Sequence, residues 1–586
     1  MEDSKYDNKL RTKKLLAYMV KTKEAYILGF VFIILTVIVD LSGPYIIKKI
    51  LDTELIDGLG PRDVEFYILL IGIYFLSVLL STIFGYFNLY YFSKTGNKVV
   101  KFMQEDVFNH IQGLPISFYD KLPSGAVVSR ITNDAKSVNL LFKVVLSQLT
   151  TSVIYAIGVY IALALIDIRL ALMGLIPLPL VIIVFIDYKN KSKKYNYAYR
   201  RYLADLNANL NENIQGMEII KAFNKEEEIY DEFDEANLKV YDEGVKFTKL
   251  FAYSGYNIMD SIYYLTIAIV LFYFGYGYLT QKYLVTIGML YIFVDYMRKI
   301  FDHLTQAVMR GGELEKAIGS ADHIFELLSL EQDDYIGKDK SELQGELSFE
   351  GVSFAYDDDD VIKDMSFDIK SGESIAFVGH TGSGKSTIMN LILGFYRPQK
   401  GSIKFDEKEI DNLDIKYMRN QIAIVLQDPY LFTGDIKSNI SLFDEEIKAE
   451  EAEEALIEVG GKELLDKLEL GIETPIMEKG STFSSGERQI ISFARALIRD
   501  PKILVLDEAT SNIDSETEGI IQRGIERLKR GRTTIIIAHR LSTIKNVDKI
   551  FVLDEGRIVE SGNHEELIKI GGIYKKMYLA QSNREI

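Results

Sequence analysis

The stretch SIAFVGHTGSGKSTIMNLILGF, residues 374–395, decides the fold of the C-terminal half of this chain. An apolar run typical of a buried strand leads into a glycine-rich loop, and a second apolar run typical of a helix follows. The loop reads Gly379-His380-Thr381-Gly382-Ser383-Gly384-Lys385-Ser386-Thr387 and matches GxxxxGK[ST], the pattern of a phosphate-binding loop. Its glycines let several backbone N–H groups point at phosphate oxygens, and the N-terminus of the helix adds a favourable dipole. We expect Lys385 to reach the β- and γ-phosphates of a nucleotide and Ser386 to ligate Mg²⁺.

Strand-like and helical runs alternate around this loop, which predicts a parallel-sheet α/β domain. The run KILVLDEAT, residues 502–510, predicts a buried strand that ends in Asp507 and Glu508. Asp507 suits the coordination shell of Mg²⁺, and Glu508 could accept a proton from the attacking water or orient it. His539 ends the next predicted strand. An isolated His is more often structural than catalytic, but this position favours a contact with the γ-phosphate.

The N-terminal half contains apolar runs near the length needed to cross about 30 Å of hydrocarbon. These runs occupy residues 26–47, 66–92, 144–166, 170–186 and 261–281. A sixth run, 283–310, is weaker, because charged residues such as Asp295 and Lys299 follow its apolar start. Buried helices of a large soluble protein are the alternative, but two runs stand back to back at 144–186, which favours membrane spans. We expect six spans, because an even number leaves both chain ends on the same side.

The positions of the basic residues predict which side that is. Lysine and arginine are concentrated before residue 25 and in two long connections, residues 93–143 and 187–249. The short connection at 51–64 has Arg62 as its only basic residue. By the positive-inside rule, the N-terminus, both long connections and the C-terminal half lie in the cytoplasm of a multi-pass protein of the cell membrane. The long connections are amphipathic and helical in pattern, which predicts helices that continue well past the bilayer.

Three acidic residues, Asp40, Asp260 and Asp295, fall within or beside the predicted spans. Ionisable groups are costly there and usually face a bundle interior or a water-filled cavity. Each could belong to a structural ion pair or a water-facing helix end, or could contact a transported substrate. The structural explanation is favoured for Asp260, and the two explanations stay open for Asp40 and Asp295.

The composition excludes several classes of function. The chain has 586 residues, too many for one compact domain, and a formal net charge of −17. No basic face stands out, which argues against a nucleic-acid partner. The sequence contains no cysteine, so disulfides, thiolate metal sites and a cysteine nucleophile are excluded.

Taken together, these motifs resemble those of an ATP-binding-cassette (ABC) exporter half, over nearly the whole chain. The resemblance implies an all-α six-helix transmembrane domain of the type I ABC exporter class, fused to an α/β P-loop nucleotide-binding domain. It implies an N-terminal cytoplasmic segment at 1–24, a transmembrane domain at 25–319, a linker at 320–345 and a nucleotide-binding domain at 346–586. The stretches SFYDKLPSGAVVSRITND (117–134) and LNENIQGMEIIKAFNKEE (210–227) resemble the family's two intracellular loops, whose tips act as coupling helices.

The same resemblance implies roles for further residues of an ATP and Mg²⁺ site. Tyr356 would stack on adenine, and Gln427 would ligate Mg²⁺ and report occupancy of the site to the membrane half. Asp514, in LDEATSNID, would complete the nucleotide contacts of this chain. Ser484 and Gly486, in FSSGERQ, would contact a nucleotide held by a second exporter half, since each ATP in such exporters lies between two cassettes.

The signature sequence departs from the family pattern. It usually reads LSGGQ, but here Ser485 replaces a glycine that lets the backbone approach phosphate, and Glu487 adds a possible negative charge near an anion. The arrangement resembles heterodimeric bacterial exporters with one active and one impaired ATP site. It implies a non-identical partner with a regular signature and a defective catalytic glutamate. A homodimer that tolerates the serine is the alternative.

The expected function is ATP-driven export of hydrophobic or amphipathic compounds, drugs among them, with membrane lipids around the transmembrane domain. A flippase for lipid or lipid A is the nearest alternative. An ATP-gated channel or regulator would usually carry extra regulatory segments, and the predicted spans contradict a soluble cassette protein that acts on nucleic acid.

Overall fold

The computed structural model describes residues 8–56, 64–122, 124–280, 286–333, 337–507, 515–538 and 544–582. The chain divides into two units: Met1–Leu114 with Leu122–Gln332, and Pro115–Lys121 with Asp333–Ile586. The division between Gln332 and Asp333 falls inside the segment 320–345 that the sequence predicts as a linker. The short segment at 115–121 comes from the first predicted intracellular loop.

Up to Leu327 the described chain contains helices and no strand. In chain order these are α1 (Asn8–Val20), α2 (Lys23–Ile56), α3 (Val64–Gln112), α4 (Ile116–Lys121), α5 (Ser124–Ser129), α6 (Ala135–Leu140), α7 (Ser147–Ile166), α8 (Ile168–Leu175), α9 (Leu178–Gln215), α10 (Met217–Ala222), α11 (Glu226–Phe251), α12 (Ile258–Thr280), α13 (Ile287–Met309) and α14 (Gly311–Leu327). Short π-helical segments at Arg130–Asp134, Leu141–Leu146 and Ala252–Asn257 join α5 to α6, α6 to α7 and α11 to α12.

Five stretches of the described helices are long and apolar enough to cross a membrane, and each overlaps one of the five strong predicted runs. They are Lys23–Asp52, Glu65–Gln112, Gly125–Ile166, Ile168–Gln215 and Ile258–Gly277. The weaker sixth run forms α13 but is not among them, because its charged residues lower its hydropathy. A sixth crossing therefore stays a prediction.

The long helices agree with the prediction that helical structure continues beyond the bilayer. Helix α3 has 49 residues, which at 1.5 Å per residue gives a length of about 70 Å, against about 30 Å of hydrocarbon. Helix α9 has 38 residues and turns polar after its first third. The helices pack around a buried core that contains Phe92, Phe293 and Tyr296.

The second unit is built on two main sheets. Its strands are β1 (Leu347–Ala355), β2 (Asp360–Ile369), β3 (Ser374–Gly379), β4 (Lys400–Phe405), β5 (Lys408–Glu409), β6 (Ile422–Val425), β7 (Gly434–Asp435), β8 (Pro475–Ile476), β9 (Ile503–Asp507), β10 (Thr533–Ile537), β11 (Lys549–Asp554) and β12 (Arg557–Gly562). Its remaining α-helices are α15 (Lys385–Ile392), α16 (Ile415–Asn420), α17 (Ile436–Ser441), α18 (Ala449–Glu458), α19 (Lys462–Asp466), α20 (Ser485–Leu497), α21 (Ser515–Leu528), α22 (His564–Ile570) and α23 (Ile573–Ser582).

The larger sheet has six strands in the order β12-β11-β3-β10-β9-β6. All neighbours among β11, β3, β10, β9 and β6 are parallel, and β12 is antiparallel to β11. The smaller sheet is antiparallel, in the order β2-β1-β4-β5. Because parallel strands end at the same edge, the phosphate-binding loop after β3 and the acidic end of β9 share one edge of the sheet.

Strand β9 shows why the sheet forms as predicted. Ile503 and Val505 are buried in the core on one face of the sheet, and Leu504 and Leu506 are buried in the core on the other. A strand covered on both faces reads as an unbroken apolar run, as in this sequence. The prediction of a buried parallel strand at this position is confirmed.

Candidate functional site

The loop between β3 and α15 has a backbone that only glycine adopts easily. Gly384, immediately before α15, has φ +102°, and a Cβ added there would lie 2.7 Å from Cδ1 of Ile362. A Cβ on Gly379 would lie 2.5 Å from the carbonyl oxygen of Leu553. The two glycines therefore let the loop curl closely against its neighbours at the N-terminus of α15, where backbone N–H groups are available to an anion.

Two side chains of this loop are buried in a way that fits a phosphate ligand. Lys385 Nζ donates to the carbonyl oxygens of Gly379 at 2.8 Å and His380 at 3.0 Å. Ser383 Oγ is buried and has no hydrogen-bond partner. A buried hydroxyl without a partner is costly, and a phosphate oxygen would satisfy it. Ser386 is exposed, as a ligand of a metal ion on the phosphates would be. The loop therefore fits the phosphates of a nucleotide.

Tyr356 follows β1 directly and is connected to the phosphate-binding loop through α15. Its hydroxyl accepts a hydrogen bond from Asn390 Nδ2 at 3.1 Å. Its ring meets the rings of Phe354 and Tyr396 edge-on, at centroid distances of 4.9 and 5.0 Å, and the residue is 40% exposed. The exposed ring area supports the prediction that Tyr356 stacks on a base. The sequence pattern contained no signal for Asn390.

Asp507 and Gln427 lie at the same sheet edge as the loop. Asp507 is the last residue of β9 and is in register with Ile537 at the end of β10, next to β3. Gln427 is exposed and follows β6, the neighbour of β9 on its other side. Glu508, Asp514 and His539 lie outside the described residues, so their roles stay predictions.

Within the described ranges, no group of three His, Cys, Asp or Glu side chains is placed to hold a metal ion by itself. Mg²⁺ commonly binds through one or two protein ligands together with substrate phosphates. Ser386, Gln427 and Asp507 are suited to that mode, since they lie at the edge where the phosphates are expected.

The signature sequence begins a helix, and Glu487 has a structural role there in addition to its charge. Ser484 is the N-cap of α20: its Oγ accepts from the N–H of Glu487 at 3.2 Å, and the Glu487 carboxylate accepts from the N–H of Ser484 at 2.8 Å. This is a capping box, and its sequence pattern, S-x-x-E, is present in Ser484-Ser485-Gly486-Glu487. The Glu487 carboxylate thus occupies an N–H group of its own helix.

We expect Glu487→Ala and Glu487→Gln to differ at the start of α20. Alanine removes the acceptor for the Ser484 N–H and should lower local stability by about 1 kcal/mol. Amide hydrogen exchange over residues 484–488 should therefore become faster. Glutamine keeps an acceptor oxygen and should leave exchange near that of the unmodified chain. Hydrogen–deuterium exchange with mass spectrometry measures both variants, and equal acceleration in the two would contradict the capping role.

Two arginines tie α20 to the segment that follows Gln427. Arg488 Nη1 donates to the Phe483 carbonyl at 2.9 Å, and its Nη2 lies 3.6 Å from Asp428 Oδ1. Arg495 donates to the carbonyls of Asn439 at 2.9 Å and Tyr430 at 3.0 Å, and to Asn439 Oδ1 at 3.2 Å. Burial lowers the pKa of the Arg495 guanidinium to about 10, which leaves it charged at neutral pH.

Helix α4, from the first predicted intracellular loop, contacts residues close to Tyr356. The Tyr396 hydroxyl donates to the Asp120 carboxylate, and Lys121 Nζ lies 4.0 Å from Asp357 Oδ1. Burial, and then the hydrogen bond to Asp120, raise the pKa of the Tyr396 hydroxyl, so it stays a donor at neutral pH. The predicted coupling segment is thus bound beside the residue expected to hold the base.

Known proteins match this chain along most of its length. Residues 26–304 match the ABC transporter transmembrane region family, and residues 362–511 match the ABC transporter family. The chain is 44% identical over 548 residues to a Bacillus subtilis (strain 168) protein described as a "probable multidrug resistance ABC transporter ATP-binding/permease protein YheH", which covers 93% of this chain and 81% of that protein.

Two further comparisons agree with these matches. The multidrug resistance-like ATP-binding protein MdlB of Buchnera aphidicola subsp. Acyrthosiphon pisum is 32% identical over 575 residues, covering 97% of this chain and 98% of that protein. A solved structure of a bacterial Atm1-family ABC exporter with ATP bound has a TM-score of 0.77 at 24% identity, covering 98% of this chain and 99% of that one. The predicted fold class, a helical transmembrane domain fused to an α/β nucleotide-binding domain, is confirmed.

Proposed function

This chain belongs to the ABC transporter family, as an exporter half that joins a membrane domain to an ATP-hydrolysing domain, and on that basis we propose that it exports hydrophobic or amphipathic compounds, drugs among them. The observation that carries the proposal is the 44% identity to a relative described as a multidrug resistance transporter, over 93% of this chain. The N-terminus and the C-terminal unit are proposed to lie in the cytoplasm, because lysine and arginine cluster in the segments placed on that side.

The residues around the phosphate-binding loop suggest how the chain uses ATP. Lys385, which donates to two loop carbonyls, is placed to transfer its hydrogen bonds to the β- and γ-phosphates. Ser383 Oγ gains the partner that it lacks. Mg²⁺, when bound, would neutralise charge on the phosphates, with Ser386, Gln427 and Asp507 as its proposed protein ligands.

The hydrolytic step is assigned to two residues that closely follow β9 and β10 in the sequence. Glu508 would take a proton from the attacking water or orient it, and His539 would contact the γ-phosphate. ATP binds the closed pair of cassettes better than the open pair, so binding shifts the population toward closure. Helix α4, bound beside Tyr356, would pass that change to the membrane helices.

We further propose a non-identical partner, because the signature of this chain is less suited to phosphate than the family pattern. The Ser484 N–H is already occupied by the Glu487 carboxylate, which also places a negative charge at the N-terminus of α20. Ser485 adds a side chain where the pattern has glycine. These features weaken the partner's ATP site, whereas the motifs of this chain's own site are intact.

We expect this chain to hydrolyse ATP slowly alone and several-fold faster when mixed with an exporter half that lacks the catalytic glutamate. The measurement is phosphate release by each chain purified alone in lipid nanodiscs and by the mixture, with Glu508→Gln of this chain in the mixture as the control. Full activity of this chain alone would contradict the heterodimer and support a homodimer. Stimulation by lipids but not by amphipathic dyes would instead support a flippase.

A further inference from the structure

A polar network lies inside the helical unit, near the middle of α2 and α13. Lys299 Nζ donates to Asp40 Oδ2 at 2.6 Å, and Asp295 Oδ2 lies 3.8 Å from the same ammonium group. The Tyr155 hydroxyl of α7 also donates to Asp40 Oδ2, at 3.1 Å. Three helices far apart in sequence, α2, α7 and α13, therefore meet at these charged groups.

Pro44 explains why Lys299 is held on the α2 side of this network. Proline has no N–H, so the carbonyl four residues before it, that of Asp40, loses its helical hydrogen-bond donor. Lys299 Nζ donates to this carbonyl oxygen at 3.1 Å as well as to the Asp40 carboxylate. Asp295 keeps only the longer ion pair, and its Oδ2 is buried without a hydrogen-bond partner.

The network has more negative than positive charge when its groups are ionised. It holds two carboxylates and one ammonium group. Beside it, His303 stacks on Tyr155 at a centroid distance of 4.0 Å, and the Nδ1 of His303 lies 3.5 Å from Gln148 Nε2. A surplus charge inside a membrane domain costs free energy, and such groups usually face a water-filled cavity or a transport pathway.

The charged groups can be reached from a surface of the chain. The side chains of Asp40 and Asp295 are each 31% exposed in the single chain, and that of Lys299 is 23% exposed. Tyr291, one turn before Asp295 on α13, is partly exposed and offers an aromatic ring on the same helix face. A carboxylate facing lipid would be unfavourable, so this surface is suited to a cavity rather than to acyl chains.

We propose that the Asp40–Lys299–Asp295 network binds the positively charged group of an amphipathic organic cation, and that Asp295 is the residue that contacts it. The proposal rests on the proposed export function and names the class of compound that is exported. The ligand supplies the one positive charge that the network lacks, and the ring of Tyr291 can pack against its apolar part or its charge. The ion pair between Asp40 and Lys299 holds α2 and α13 together, and it keeps the ammonium group closer to Asp40 than to Asp295.

The test compares a cation with a neutral molecule of nearly the same shape. Equilibrium dialysis measures the binding of methyltriphenylphosphonium and of triphenylphosphine oxide to the full-length protein in phosphatidylcholine nanodiscs. The protein is used together with any partner subunit that copurifies with it. We expect the cation to bind about tenfold more tightly than the neutral compound, because it makes one additional, partly desolvated contact between opposite charges. Asp295→Asn should bring the ratio of the affinity for the cation to the affinity for the neutral compound close to one. It should leave the affinity for the neutral compound unchanged.

Two further variants separate a binding site from a structural role. Asp302→Asn is the matched control, because Asp302 is on the same helix and pairs with Arg298 at 3.2 Å across one turn, as Asp295 pairs with Lys299. It should leave the ratio unchanged. Lys299→Gln removes the competing positive charge and should raise the ratio above that of the unmodified chain.

Several outcomes would overturn the proposal: a ratio near one in the unmodified chain, an unchanged ratio in Asp295→Asn, or an equal fall in Asp302→Asn. If Asp295→Asn fails to fold, Lys299→Gln is the deciding variant. An unchanged or lower ratio of the two affinities in Lys299→Gln would contradict the proposed cation site. Basal ATP hydrolysis of the unmodified chain in the same nanodiscs tests the export function separately. Its absence would refute that function while the binding ratio would still be interpretable.

Discussion

Glu508→Gln is expected to lower ATP turnover by about 10²–10⁴-fold while leaving ATP binding intact, because a positioned general base contributes about that much. Glutamine keeps the size of the side chain but cannot accept the proton of the attacking water. In the sequence Glu508 follows Asp507, and Asp507 ends β9 at the sheet edge that also holds the phosphate-binding loop. Phosphate release measures turnover, and equilibrium binding of radiolabelled ATP measures occupancy, both on the purified exporter with its partner.

The chain contains a matched control for this variant. Strand β11 also ends in an aspartate, Asp554, that is followed by a glutamate, Glu555, and it is parallel to β3 in the same sheet. Glu555 is exposed in the turn before β12, so Glu555→Gln should leave turnover near that of the unmodified chain. If Glu508→Gln retained most of the ATP hydrolysis, or if both variants lost it equally, Glu508 would not be the catalytic base.

Arg495→Met should destabilise the ATP-binding unit by about 2–4 kcal/mol. The substitution removes hydrogen bonds from a charged donor to the carbonyls of Tyr430 and Asn439, and it leaves those acceptors unsatisfied. Relief from burying the guanidinium offsets part of the cost. Thermal unfolding of the full-length protein should show a midpoint lower by about 5–10 °C. Amide exchange over residues 430–441 should accelerate, because α20 no longer holds that segment.

Arg499→Met is the comparison for that prediction. Arg499 is exposed, one turn after Arg495, so its substitution removes the same charge without removing buried hydrogen bonds. We expect a change in the free energy of unfolding within about 0.5 kcal/mol for Arg499→Met. Similar effects of the two variants would show that net charge, and not the contacts between α20 and residues 430–441, stabilises the unit.

Much of the fold could be predicted because it is encoded locally. The burial of Ile503 to Leu506, on alternate faces of the sheet, requires an apolar run in the sequence, and the phosphate-binding loop requires glycines at fixed spacing. The weaker sixth run shows the limit of hydropathy, since the charged residues of α13 lower its mean hydropathy although the helix packs in the same core. Glu487 stands where a charge near an anion is expected, but in the structure it completes a capping box whose pattern, S-x-x-E, is present in the sequence.

Other contacts had no local signal. Lys299 and Asp40 are 259 residues apart, and their pairing depends on a carbonyl that Pro44 deprives of its donor. The contact between Tyr396 and Asp120 joins residues 276 apart. Pairings of this kind follow from how helices and loops pack in three dimensions, and no local pattern in the sequence indicates them.

The π-helical segment at Leu141–Leu146 has a consequence for how the membrane domain could change over evolution. A π turn holds one residue more than an α turn, so it rotates everything after it by about 100° around the helix axis. Tyr155 reaches Asp40 with that rotation in place. Loss of a single codon from this segment would restore a regular helix and turn Tyr155 to a different face. The residues around the charged groups could therefore be exchanged as a set by one small deletion, without any substitution in α7 itself.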